Sequence, residues 1–417
     1  MAHSGQNRSS VSARLATTIG LFLLLVSAVA AQAQTYTILH KFTGGSDGSF
    51  PTSTLVADRA GRFYGTVERG GTYGSGVVFQ LKPAGGGWIF SPLYSFGQEV
   101  GNGQFPLDYG GLTFGPDGAL YGTASYGGLL ECGEGQSYCG TAFRLRPPPT
   151  ACTAALCPWD YTLVHQFTGA DSYAPESSLV FDTAGNMYGT GEFGQAYEIS
   201  PSGGGWTASQ IGGAGDTDAG MVLDSAGNLY GVWGGPDRSK GGVFELSPSS
   251  SGWMETTLYS FTGGNDGATP FGGLVFDSAG NLYGSTSDGG SGGGGTVFEL
   301  SPSGSGWTFN LLCSLQGTGY SGPQSSLTMD GQGNLYGTTY AGGQHGGGSV
   351  FKATRNGSDW VCTDLHDFLQ DGNGVTPIAG VTLDSQGNLY GTTAYGGLQS
   401  QNYCPDDGCG VIWEITP

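Results

Sequence analysis

A Tyr-Gly pair recurs in one sequence setting at Tyr64, Tyr121, Tyr188, Tyr230, Tyr283, Tyr336 and Tyr390. The successive intervals are 57, 67, 42, 53, 53 and 54 residues. Self-similarity at this period constrains the fold more than any local propensity does. A unit of that length cannot bury its own apolar face and must stack on its neighbours.

The unit is clearest in the fifth repeat. Gly273-Leu274-Val275-Phe276-Asp277 reads as a strand and Ser278-Ala279-Gly280-Asn281 as a turn, in which Asp277 accepts backbone N–H bonds and glycine supplies the left-handed residue. Leu282 to Thr286 returns as a second strand, and a glycine-rich loop leads to a third at Thr296 to Leu300. Ser301-Pro302-Ser303-Gly304 turns the chain into a fourth strand, Trp307 to Leu315. Four antiparallel strands per repeat make a propeller blade.

Composition agrees. Glycine supplies 82 of 417 residues without a three-residue collagen period, while 21 Tyr, 21 Phe and 8 Trp offer too much apolar surface for a disordered chain. Many short strands joined by tight turns are expected.

The ends complement each other. Tyr36 to Phe42 matches the fourth-strand pattern of Tyr161 to Phe167, and the chain finishes on a third strand, Val411 to Ile415. The expected fold is therefore all-β: a seven-bladed β-propeller of four-stranded blades, closed by an N-terminal strand that completes blade seven and leaves no long open edge. The blades are placed at about 52–96, 109–167, 176–211, 219–261, 271–315, 324–368 and 378–417 plus 36–42.

Three segments recurring in order, Leu258 to Gly267, Leu274 to Gly284 and Val297 to Pro302, resemble the GloVer (Gloeobacter/Verrucomicrobia) tandem-repeat proteins, often called choice-of-anchor. The resemblance covers nearly the whole mature chain. It implies export and varied C-terminal sorting signals among relatives, but no catalytic residues to carry over. No such signal is read at Ile415-Thr416-Pro417, so anchoring is not expected.

Residues 1–33 read as a secretory signal peptide: basic Arg8 and Arg14, an apolar run from Leu15 to about Ala31, and small-x-small sites at Ala28-Val29-Ala30 and Ala31-Gln32-Ala33. Cleavage is expected just before Ala31 or Gln34, with an uncleaved anchor as the rival reading; residues 34–417 then form a single secreted or periplasmic domain. Eight cysteines suit that compartment. The close pairs Cys132 with Cys139, Cys152 with Cys157 and Cys404 with Cys409 are read as loop-closing disulfides, and Cys313 and Cys362 as paired together or free.

A formal charge of −20 disfavours nucleic acid and anionic membrane surfaces. The Gly-x-Ser-x-Gly matches at Gly44 to Gly48 and Gly289 to Gly293 lack the strand–turn–helix setting of a nucleophile elbow. His40, His165 and His366 sit in repeat register on different blades, so neither a metal site nor a cofactor is expected. The turn aspartates Asp58, Asp182, Asp224, Asp277, Asp330 and Asp384 lack a calcium-loop pattern and are read as turn caps, with Gly115 in the second repeat.

Function is expected on the face carrying the longer, more varied loops. The ligand candidates are Asp47, Glu68, Arg69, Tyr73, Tyr126 and Tyr395 around blade one, plus Trp233, the one tryptophan out of register. The stapled loops of blades two and seven should flank blade one. The reading is a monomeric, non-enzymatic module that binds an extracellular saccharide or a protein partner. The alternative is a secreted polysaccharide hydrolase or lyase using Asp47 and Glu68.

Overall fold

The computed structural model describes residues 1, 34–97, 101–106, 111–128, 139–148, 159–213, 219–234, 240–304, 306–319, 321–400, 404 and 407–417. Seven four-stranded antiparallel sheets form a β-propeller, with each of the first six drawn from one repeat. In blade five the strands Val275–Phe276, Leu282–Thr286, Gly293–Ser303 and Gly306–Gln316 pair in chain order. The innermost strand is shorter than the sequence suggests, because the residues before it turn toward the axis. There, residues of all seven blades, among them Thr52, Gly111, Ser178, Gly220, Gly272 and Ser325, line a cavity of about 260 Å³.

Closure is as expected. Thr35–Lys41 pairs antiparallel with Val411–Thr416 from Thr35↔Thr416 to Lys41↔Val411, with a bulge between Ile38 and His40. Phe42 follows it into a fully buried position with Leu55, Phe79 and Ile412, which joins blade seven to blade one.

The glycine of each Tyr-Gly pair has a steric origin. The second strand is buried except at Trp233 and Gly234 of blade four, and the end of an aromatic ring from the third strand abuts its glycine. A Cβ built on Gly284 would stand 2.5 Å from Phe298 Cζ, one on Gly65 2.7 Å from Phe79 Cζ, and one on Gly391 2.3 Å from Trp413 Cζ2. Trp413 thus occupies the Phe position, as its register predicts.

The tyrosine and the turn aspartate form one polar unit. Asp277 Oδ1 accepts the N–H groups of Ala279 and Asn281, while Oδ2 accepts Asn281 Nδ2 at 2.8 Å and the Tyr283 hydroxyl at 3.2 Å. Blades three, four, six and seven repeat these bonds. In blade two Asp117, two positions past Gly115, takes over and accepts the Tyr121 hydroxyl at 3.2 Å. The rings then meet tryptophans of the next blade: Trp88 on Tyr390, Trp159 on Tyr64, Trp253 on Tyr188, Trp307 on Tyr230 and Trp360 on Tyr283, at 5.7 to 6.2 Å. Blade-to-blade packing is their role.

Burial, reinforced by nearby carboxylates, raises the phenol pKa of all seven repeat tyrosines above 10.0, to about 12 for Tyr64 and Tyr336. The folded chain therefore holds these protons more tightly than the unfolded chain. The stability from this source is complete below pH 10 and is lost as pH rises through the folded values. Alkaline titration should show a late tyrosinate absorbance step coincident with loss of the β-sheet circular dichroism signal. Gradual ionisation of the buried rings with that signal intact would contradict the assignment.

The Cys404–Cys409 disulfide is formed, and Cys313 pairs with Cys362, resolving the open choice for these two. That second bridge links the outer strands Gly306–Gln316 and Asp359–Asp367 of adjacent blades. Cys139 is disulfide-bonded; Cys132, Cys152 and Cys157 lie outside the described residues.

Candidate functional site

On the loop face, each connection into a blade bridges to the loop between that blade's second and third strands. Ser49 pairs with Arg69, Ala268 with Asp288 and Val375 with Tyr395, and Gly103–Gln104 forms a short ribbon with Tyr126–Gly127. The two sets of variable loops thus share one face.

These connections hold five non-glycine residues at positive φ: Phe50 (58°), Phe105 (50°), Ala174 (43°), Thr269 (54°) and Thr376 (59°). Each precedes a proline, which itself disfavours that conformation. Two backbone bonds hold each in place. The N–H donates to the preceding blade, as Phe50 does to Cys409 O (3.0 Å) and Phe105 to Ser75 O (2.9 Å). The carbonyl accepts from the end of the blade's own second strand, as Phe50 O does from Glu68 N (3.0 Å). The strained residue is an inter-blade clamp, and among these five only Phe50 and Phe105 carry rings.

Around blade one the clamp gathers further side chains. The Arg69 guanidinium lies 5.0 Å from the Phe50 ring centre, and Tyr395 of blade seven meets the same ring edge-on at 5.4 Å. Arg69 also donates to Glu68 Oε1 at 2.9 Å. Phe105 meets Tyr126 edge-on at 5.9 Å. Tyr73, on the blade-one loop, is 48% exposed and Tyr126 43%, so both offer open ring surface. Beside Tyr395 a groove of about 710 Å³ continues over blade seven, lined by Gln370, Thr376, Leu398, Gln399 and Asp407. Tyr395, Phe50 and Arg69 thus form one contact group over blades seven and one, and Phe105 and Tyr126 a second on blade two, with Tyr73 on the blade-one loop.

Sequence reasoning missed Phe50 and Phe105. The available signal was a Phe-Pro step where other repeats carry Ala-Pro or Thr-Pro.

Asp47 sits on the same connection, but its carboxylate is engaged. It accepts from Thr43 N at 3.0 Å and from the Thr43 hydroxyl, and contacts His40 Nε2 at 3.2 Å. Burial alone would raise its pKa, yet the His40 and Thr43 bonds outweigh that and hold it below the ordinary carboxylate range. Asp171 with His165 and Thr168, and Asp266 with Tyr259 and Thr262, repeat the arrangement in other blades. Asp171 is lowered to about 2.

Trp233 lies apart on the second strand of blade four, Leu229–Gly234, where it packs against the cluster containing Tyr188, Met221 and Phe244. The expected flanking of blade one by two stapled loops holds on one side. The blade-seven loop reaches Phe50 through Cys409, whereas in blade two Cys139 O accepts from Ala174 N of blade three. Residues 129–138 of the blade-two loop lie outside the described residues.

Residues 25–200 and 217–417 match the family described as the Gloeobacter/Verrucomicrobia repeat. Among curated proteins no sequence matches. Solved structures similar in architecture include a protein assigned as an oxidoreductase (glucose dehydrogenase) from Thermus thermophilus, at 14% identity and TM-score 0.45 over 92% of this chain and 100% of that one. A protein assigned as a gluconolactonase matches at 13% identity and TM-score 0.40 over 92% of each chain. A glucose dehydrogenase matches at 13% and 0.41 over 77% of this chain and 100% of its own. Likeness this distant carries over no substrate and no residue role.

Proposed function

We propose that this chain, which belongs to the Gloeobacter/Verrucomicrobia repeat family, is an exported binding module that takes a saccharide on the aromatic strip over blades seven, one and two. The observation that carries the reading is Phe50, held in a left-handed conformation with Arg69 over its ring and Tyr395 at its edge. A strained residue in a repeat is tolerated for the clamp; rings at that position in adjacent blades, Phe50 resting partly on the core around Phe42 and Cys409, add aromatic surface beneath the loops that the clamp does not need. Rings beside amide and carboxylate groups suit stacking and hydrogen bonding to a sugar.

The enzymatic alternative gains less support. Asp47 is held ionised by Thr43 and His40, and Glu68 is hydrogen-bonded to Arg69, so both carboxylates are engaged by protein groups. Export would place the module where its disulfides persist.

A glycan array probed with the chain beginning at Gln34, followed by reducing-end analysis, tests the proposal. Binding without bond cleavage is expected, with affinity falling about tenfold on Tyr126→Ala or Tyr395→Ala, equivalent to about 1.4 kcal/mol. Cleavage would move the protein to the hydrolytic reading. Absence of any glycan binding would overturn the saccharide assignment in favour of a protein partner.

A further inference from the structure

On the opposite face, where the Asp-containing turns emerge, blade one departs from every other repeat. The second turn position holds Thr183, Ser225, Ser278, Gly331 or Ser385 in blades three to seven, and the fifth always holds Asn. Blade one places Arg59 and Arg62 there. Both arginines border a pocket of about 370 Å³ between blades one and two, walled by Tyr64, Phe114 and Trp159. Tyr64 lies at its base, 1% exposed, with Phe114 at 5.6 Å and Trp159 at 5.7 Å between ring centres.

Charge sets this pocket apart from the rest of the surface. Arg62 Nε donates to Asp58 at 2.5 Å and is thereby matched. Arg59 is exposed and forms no hydrogen bond or ion pair among the described residues. At the rim, Arg144 and Arg146 share the single carboxylate of Asp117, whose neighbour Gly118 lines the pocket, as does Pro147 beside Arg146. Four arginines against Asp58, Asp117 and Asp160, the last opposite Arg146 in the strand pairing, leave a local surplus of one positive charge on a chain whose formal charge is −20.

We infer that this pocket is a second binding site, distinct from the strip on the loop face, and that it takes an acidic sugar: a uronic acid unit with its ring against Trp159 and Phe114 and its carboxylate on Arg59. The apolar wall offers ring faces to the C–H face of a pyranose. An unpaired guanidinium is suited to receive a carboxylate with two parallel N–H bonds. The ion pair is exposed, so its strength falls with salt.

Calorimetric titration of the chain beginning at Gln34 with tetragalacturonate, and with its fully methyl-esterified form, tests the inference. The ester keeps the rings and removes only the charges. Binding of the acid is expected to be at least tenfold tighter than that of the ester and to weaken with added NaCl. Arg59→Ala should lose tenfold or more with an unchanged circular dichroism spectrum, and Arg59→Lys, which keeps the charge but not the fork, should fall between. Arg355→Ala, which removes an exposed arginine of blade six outside both sites, should leave this binding unaltered. Equal binding of acid and ester, no effect of Arg59→Ala, no binding of the acid, or an equal loss with Arg355→Ala would each overturn it.

Discussion

A chain that begins at Thr43 is expected to lose the native ring. Removing Thr35–Lys41 and Phe42 strips blade seven of its outer strand and leaves Val411–Thr416 with an unpaired edge. It also removes the fully buried Phe42 and the partly buried Tyr36, Ile38 and Leu39 from two inter-blade clusters. The entropic cost of ordering the deleted residues disappears with them, so the damage is expressed mainly as an exposed apolar face on the two flanking blades and an open strand edge. Size-exclusion chromatography should show aggregates or edge-paired oligomers in place of a monomer. A peptide spanning residues 34–42, added in excess, should restore the monomer and its melting transition. A monomeric truncated chain with an unchanged melting temperature would show that the ring does not depend on its closing strand.

Gly284→Ala should destabilise blade five by overpacking its second strand. The new Cβ would sit 2.5 Å from Phe298 Cζ and 2.9 Å from Leu274 Cδ2, both in the fully packed core of the blade four–five interface. Overpacking of this kind costs about 1–3 kcal/mol and occasionally more, and here neither neighbour has space to withdraw. A loss of about 3 kcal/mol is expected in denaturant unfolding. Gly280→Ala makes a useful comparison: nothing lies within 4 Å, but φ is +86°, so its cost is conformational and about 1–2 kcal/mol. Combining Gly284→Ala with Phe298→Leu should recover part of the loss, because the smaller side chain vacates the space over the second strand. Purely additive effects in that double variant would mean that the ring is not the reason for the glycine.

Both predictions rest on features legible in the sequence to different depths. The seven-fold recurrence and the complementary ends disclosed the ring, because a periodic sequence can satisfy its buried surfaces only by repeating one contact. The turn role of Asp277 was equally readable, since an Asp at a hairpin entrance reaches nearby N–H groups whatever the tertiary fold. Its second bond, to the Tyr283 hydroxyl six residues on, needed the hairpin geometry. Asp117 in blade two was invisible as a replacement for Gly115, because it reaches Tyr121 from a shifted position.

The candidate site shows the limit more sharply. Loop length and spacing pointed to the neighbourhood of blade one, and to Arg69, Tyr126 and Tyr395 within it. They did not disclose Phe50, whose importance lies in a left-handed backbone held by Cys409 of the last blade, more than 350 residues away in the chain. Nor did they disclose that Asp47 is held by His40 and Thr43. Sequence by itself determined the number of blades, the closure and the aromatic packing, since these follow from local pattern repeated often enough to be unambiguous. Only the tertiary structure decided which side chains of different blades meet, because contacts across the ring depend on backbone direction and strand twist rather than on any spacing along the chain.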